Sequence, residues 1–117
     1  MTRAALALAA LAIGTTSAHA AGVTPVGVAE REFRISVYRP VVDPGLVRFN
    51  VRNFGEDTHN LVVRGPRGFR ARRTGDIRAG RSATLTVRLR RPGTYRLLCT
   101  KARHDRYGMV ASLRVRR

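Results

Sequence analysis

Residues with metal-binding side chains lie at even spacing near the end of this chain. In CTKARHDRYGM, residues 99–109, the chain's single cysteine, Cys99, is followed five residues later by His104 and five after that by Met109. A second histidine, His59, lies upstream in NFGEDTHNLVV. Thiolate, imidazole and thioether groups are all ligands for transition metals. These four residues are therefore the candidate metal ligands.

The elements that must bring these ligands together are predicted to be strands. Apolar and polar residues alternate with a period of two in several segments, and Gly- and Pro-containing turns separate these segments. The pattern predicts an all-β fold, a small antiparallel sandwich or barrel, with Phe33, Ile35 and Val37 among the inward positions. Cys99 falls on the inward face of one strand and Met109 on that of the next, so His104 lies in the loop between them. His59 also lies beside a strand end, which lets all four side chains converge.

The ligand types favour copper. Two histidine nitrogens and a thiolate in a trigonal plane, with a weak axial thioether, are the ligand set of a blue-copper electron-transfer site. Zinc is the competing metal, but structural zinc sites use more cysteines. Each residue alone has an ordinary structural explanation, whereas their joint order, parity and spacing favour a metal site. We predict one copper ion per chain, cycling between Cu(I) and Cu(II), with His59, Cys99 and His104 as strong ligands and Met109 as the axial one.

The first twenty residues predict export. They contain one early arginine, an apolar run and small residues ending in Ala18-His19-Ala20, the order of a secretory signal peptide. We predict a signal peptide over residues 1–20, a lead-in over 21–29 and one domain over 30–117. The apolar run is too short to span a bilayer, and no transmembrane segment is expected after cleavage. The predicted location is periplasmic or extracellular.

The chain is strongly basic. It has 23 Lys and Arg against 7 Asp and Glu, a formal net charge of +16. Most arginines alternate with core positions and are interpreted as solvated strand faces. The densest group lies in Arg64–Arg81, interpreted as a long loop with a strand near Phe69, and it is a candidate surface for anionic lipid, polysaccharide or an acidic protein. Nucleic acid is a less favoured partner, because the sequence shows no recognition motif or aromatic interleaving.

The segment PGTYRLLCTKARHDRYGMVASLRV resembles the C-terminal signature of the cupredoxins, the plastocyanin-like and azurin-like blue copper proteins. Tyr95 lies four residues before the cysteine, as in that family, and His59-Asn60 matches the family's upstream ligand loop. The resemblance implies a Greek-key β-sandwich. It also implies a hydrogen bond between Asn60 and the region of Thr100 that ties the two ligand loops together.

The sequence departs from the family pattern around His104. Lys101-Ala102-Arg103 lacks the Pro or Gly often found there, and charged residues flank His104 where the family often has an apolar docking patch. The resemblance implies that electrons leave through an exposed edge of His104. Arg103 and Arg106 beside it are therefore the predicted docking residues for an electron donor and acceptor, expected to be acidic redox proteins. We expect a monomer.

The predicted function is that of an exported type 1 copper protein that shuttles single electrons. Two alternatives remain open: a copper carrier or buffer without a redox relay, and a basic adhesion module in which copper is incidental. Catalysis is not predicted, because four ligands leave no open coordination position and no nucleophile triad or acid–base pair is present.

Overall fold

The computed structural model describes residue 10 and residues 22–117, and the latter form a two-sheet β-sandwich. A 3₁₀ segment, Lys101–Tyr107, precedes the last strand. The strands are β1 Thr24–Arg31, β2 Arg34–Val37, β3 Val41–Val42, β4 Gly45–Asn53, β5 Val62–Arg64, β6 Arg72–Arg73, β7 Ser82–Leu89, β8 Gly93–Leu98 and β9 Val110–Val115. Among the described residues, no helix is long and apolar enough to cross a membrane.

One sheet has the order β2-β1-β4-β7 and the other β3-β9-β8-β5-β6. The prediction of an all-β sandwich is confirmed. Most neighbouring strands are antiparallel, but β1 pairs with β4 and β3 with β9 in parallel. Alternation could not reveal this, because it fixes which face of a strand is buried and not the direction of its neighbour.

The core lies between the sheets and follows the period-two pattern. In β4, Val47, Phe49 and Val51 are buried, while the residues between them are exposed. Phe33 departs from the prediction: it precedes β2 and is 40% exposed, because the chain turns between β1 and β2 at this point. The inward face of β2 therefore begins at Ile35.

The amino-terminal boundary also differs from the predicted one. Residues 24–29, placed in the lead-in by the sequence, form most of β1 and pair with β4 from Thr24 opposite Val47 to Glu30 opposite Asn53. Pro25 and Gly27 alternate with the buried Val26 and Val28, but both residue types are uncommon inside strands, which hid the strand. The predicted signal peptide, apart from residue 10, lies outside the described residues.

The arginine-rich region is not one continuous loop. β5 ends at Arg64, and the edge strand β6 pairs with it. Phe69 lies between the two strands, and its ring packs edge-on against Tyr95, with the centroids 5.2 Å apart. The predicted strand therefore lies three residues further on, and Phe69 is a packing residue of the connection.

The connections fall at two ends of the sandwich. The ligand end consists of the turn between β1 and β2 and of residues 54–61, 74–81 and 99–109. The opposite end consists of residues 38–40, 43–44, 65–71 and 90–92. All four candidate ligands belong to the ligand end.

Candidate metal centre

His59 is held rigidly where the connection after β4 approaches β5. Its backbone N–H donates to the Ile77 carbonyl at 3.0 Å, and the Ile77 N–H donates back at 2.7 Å. The side chain is fully buried. This pair of bonds between two loops fixes the direction in which the imidazole leaves the backbone.

Cys99, His104 and Met109 are joined through their backbones. The Cys99 N–H donates to the Met109 carbonyl, and the Met109 N–H donates to the His104 carbonyl, both at 3.2 Å. All three side chains are buried. The connection between β8 and β9 therefore folds back so that the three residues lie together, as predicted from parity.

The turn that places His104 has an unusual backbone. Ala102 and Arg103 have φ of 45° and 58°, in the left-handed region, and Gly108 follows at φ 104°. A non-glycine residue in this region costs roughly 1–2 kcal/mol. Because residues 101–103 include no glycine, Ala102 and Arg103 adopt a strained backbone conformation immediately before His104, whose side chain enters the sandwich.

Three donor atoms converge at the ligand end. The Nδ1 atoms of His59 and His104 are 3.1 Å apart, and Cys99 Sγ lies 3.8 Å from the first and 3.7 Å from the second. A point about 2.1 Å from all three atoms lies within this triangle, close to the ~2.0–2.3 Å of metal–nitrogen and metal–sulfur bonds. The structure thus brings together three of the four predicted ligands in a triangle of the right size.

The protonation of these groups also suits a cation. His59 Nε2 lies 3.0 Å from Glu32 Oε1. An ionised carboxylate only accepts hydrogen bonds, so Nε2 carries the proton and Nδ1 presents a lone pair to the centre. Burial raises the pKa of the Cys99 thiol, while backbone N–H groups of Asn60 and Lys101 oppose the rise. A bound cation would hold the thiolate that burial alone disfavours.

Met109 lies in the same buried core cluster as Cys99 and is fully buried. Its backbone is hydrogen-bonded to both Cys99 and His104, so it lies beside two of the other candidate ligands. The position is compatible with the predicted axial role, which stays a prediction.

Asn60 and Thr100 form the link between ligand loops that the resemblance implied. Thr100 N–H donates to Asn60 Oδ1 at 2.9 Å, and Asn60 Nδ2 donates to Thr100 Oγ1 at 3.0 Å. Asn60 is 5% exposed. This pair ties the residue after His59 to the residue after Cys99.

The sequence analysis missed Glu32, which touches the outer edge of His59. Burial pushes the pKa of this carboxyl upward, but the N–H groups of Asp57 and Glu56 and the His59 ring outweigh that effect and lower it to about 2. Asp57 Oδ2 in turn lies 3.6 Å from His104 Nε2. Glu32 is 27 residues from His59, so no local spacing could have revealed the contact.

The predicted exposed edge of His104 is wrong, since His104 is only 6% exposed. The ring of Phe33 packs edge-on against it at 5.1 Å, and Tyr107 packs on Phe33 at the same distance. Phe33 reaches this position because it leaves the sheet in the turn after β1. The exposed surface above the ligand is thus an aromatic pair, with Phe33 40% and Tyr107 66% exposed.

The predicted docking arginines, Arg103 and Arg106, are both exposed and flank His104 on the 3₁₀ segment. The arginines of residues 64–81 are divided between the ends. Arg67 and Arg70 belong to the opposite end, whereas Arg78 and Arg81 belong to the ligand end.

Glu30 is a second acidic group that the sequence did not single out. It is fully buried in β1, and neither carboxylate oxygen has a hydrogen-bond partner among the described residues. Burial raises the pKa of Glu30 to about 8. Glu30 also lies near enough to contribute to the raised pKa of the Cys99 thiol.

Comparisons with solved structures give the fold. The reduced auracyanin of the photosynthetic bacterium Roseiflexus castenholzii is 22% identical, with a TM-score of 0.70 over 80% of this chain and 98% of that one. Auracyanin A, a blue copper protein of Chloroflexus aurantiacus, is 17% identical, with a TM-score of 0.66 over 80% of this chain and 99% of that one. The chain therefore has the cupredoxin fold.

A multicopper oxidase is a more distant match, 16% identical with a TM-score of 0.59, and it aligns over 79% of this chain and 44% of its own. No protein-family model matches the sequence, and no curated protein sequence matches it.

Proposed function

We propose that this protein binds one copper ion and carries single electrons between redox proteins outside the cytoplasm. His59 Nδ1, Cys99 Sγ and His104 Nδ1 are the strong ligands, and the Met109 thioether is the weak axial ligand. The observation that carries the proposal is the buried triangle of two imidazole nitrogens and one sulfur, with sides of 3.1–3.8 Å. The likeness to auracyanins, one of them described as a blue copper protein, supports it.

The scaffold suits electron transfer because it keeps the donor atoms in place. A bound copper ion would supply a one-electron Cu(I)/Cu(II) couple. His59 is fixed through Ile77, the two ligand loops are fixed through Asn60 and Thr100, and all three ligand side chains are buried. Ligands that cannot move between oxidation states keep the reorganisation small, and the buried walls exclude water.

Docking would take place over the aromatic pair Phe33 and Tyr107. Phe33 joins His104 to the surface, and Arg103 and Arg106 are exposed residues of the same 3₁₀ segment as His104 and Tyr107. An acidic partner with an apolar contact area would match this surface. The predicted export and periplasmic or extracellular location belong to this proposal, and the signal-peptide order of residues 1–20 supports them.

The test is the visible spectrum of the Cu(II)-loaded protein. Charge transfer from the Cys99 thiolate should give an intense band at one copper per chain. Cys99→Ser should abolish the band, while Ser36→Ala, a hydroxyl change in β2, should leave it intact. A wild-type protein that binds copper without a visible band would contradict the electron-transfer proposal and favour a copper carrier.

A further inference from the structure

We infer that Glu32 is a positioning residue of the metal centre: its carboxylate fixes the His59 ring and lowers the reduction potential of the bound metal. This inference rests on the copper centre proposed above. It means that the reduction potential depends on the charge of Glu32 as well as on the four proposed ligands.

Three N–H groups meet one oxygen of Glu32. Oε1 accepts hydrogen bonds from the backbone of Glu56 at 2.9 Å, from that of Asp57 at 2.7 Å and from His59 Nε2 at 3.0 Å. The carboxylate is therefore tied both to the loop that leads into His59 and to the histidine ring itself. A hydrogen bond at Nε2 fixes the tautomer and the rotation of the ring, so that Nδ1 stays aimed at the centre.

Gly55 makes room for this arrangement. A Cβ atom built on Gly55 would lie 2.5 Å from Glu32 Oε2 and 2.7 Å from its Cδ. Gly55 does not have a positive φ, so the backbone conformation at this position would accept alanine. Any larger residue at position 55 would collide with the Glu32 carboxylate, so the space is available only because residue 55 is glycine.

The charge of Glu32 acts on the metal through His59. A carboxylate at Nε2–H raises the electron-donating power of the imidazole, and its negative charge favours the more positive, oxidised metal ion. Asp57 stands in a similar relation to His104, but 3.6 Å is too long for a direct hydrogen bond, and its side chain is 53% exposed. Glu32, 26% exposed, is the better shielded of the two.

The experiment compares Glu32→Gln with Glu56→Gln by redox titration of the copper-loaded proteins. Glutamine keeps an oxygen for the three N–H groups but loses the charge. We expect Glu32→Gln to shift the ratio of Cu(I) to Cu(II) affinity roughly tenfold toward Cu(I), a rise of about 59 mV for a one-electron couple. Glu56→Gln removes the same charge from an exposed side chain in the loop that leads into His59, so it should shift the ratio much less.

Two further variants separate charge from position. Gly55→Ala displaces the carboxylate without removing it and should also raise the potential. In the diamagnetic Cu(I) protein, the His59 Nε2–H proton should exchange slowly with water in wild type and quickly in Glu32→Ala. This proton signal would not respond to a general change in stability.

Equal potential shifts in Glu32→Gln and Glu56→Gln, with the visible band retained, would overturn the inference and leave the copper centre standing. A rapidly exchanging Nε2–H in wild type would overturn it as well. A wild-type protein that binds no copper would overturn both the inference and the proposed function.

Discussion

Six of the seven acidic residues lie at the ligand end of the sandwich, and the opposite end has only Asp43. Five of the six are in the connections of the ligand end, and the sixth, Glu30, lies near the end of β1 that leads into them. Asp43 is bonded to Arg116 Nε at 2.7 Å. Arginines occur at both ends, so the opposite end is almost purely basic, while the ligand end mixes both signs. The six acidic residues are Glu30, Glu32, Glu56, Asp57, Asp76 and Asp105.

The interiors of the two ends differ in the same way. Every buried polar or charged residue of the described chain lies at or beside the ligand end: Glu30, Asn53, His59, Asn60, Thr74 and His104. The opposite end is closed by the rings of Phe69 and Tyr95, and the Tyr95 hydroxyl donates to the Arg91 carbonyl at 2.9 Å. Apolar packing thus stabilises one end, and a polar network that presents ligands occupies the other.

The largest expected effect comes from Glu30, the buried acid of the ligand end. Its pKa is about 8 in the folded protein against an ordinary 4.5, so the folded state holds a proton that the unfolded state releases. The stability contribution is complete below pH 4.5 and is lost as the pH rises toward 8. The free energy of unfolding should fall by up to about 1.4 kcal/mol per pH unit over this window.

Urea unfolding between pH 5 and pH 8 measures this slope. Glu30→Gln cannot titrate and should flatten it, while Glu56→Gln, an exposed acid, should keep the wild-type slope. Identical slopes in wild type and Glu30→Gln would show that Glu30 does not carry the pH dependence.

A smaller effect is expected from glycines at the two ends. A Cβ on Gly65 would lie 2.6 Å from both the Tyr95 and the Phe69 rings, whereas one on Gly75, at the ligand end, meets no atom within 4 Å. Gly65→Ala should cost roughly 1–3 kcal/mol by overpacking and leave the visible band in place. Gly75→Ala should leave the free energy of unfolding, measured with denaturant, nearly unchanged. Equal losses of stability in the two variants would show that the two ends do not differ in packing at these glycines.

The smallest effect concerns how the charge of each end guides a partner. Reversal of Arg103 and Arg106 to Glu should slow electron transfer to an acidic redox protein and weaken its salt dependence, because these residues flank His104. The matched reversal of Arg90 and Arg114, exposed residues toward the opposite end, should do less. Stopped-flow rates across a salt series give both slopes, and equal slopes would mean that charge acts without regard to position.

The sequence predicted those features that depend on residue type and parity. His59, Cys99 and His104 converge as expected, because strand alternation fixes which side chains point inward. Glu32 could not be predicted, since its partner is distant in the chain and its role depends on the turn between β1 and β2. The left-handed backbone of Ala102 and Arg103 was equally hidden, because neither residue type favours that conformation.

The contacts that shape the centre join distant parts of the chain. His59 is 27 residues from Glu32, Asn60 is 40 from Thr100, and the two histidines are 45 apart. Chains dominated by such long-range contacts fold slowly, commonly in milliseconds to seconds, because long loops must close before the contacts form. We expect the ligand triangle to assemble only once both sheets are in place. The colour of a copper-loaded protein would then report completion of folding, and refolding chains would capture the metal late.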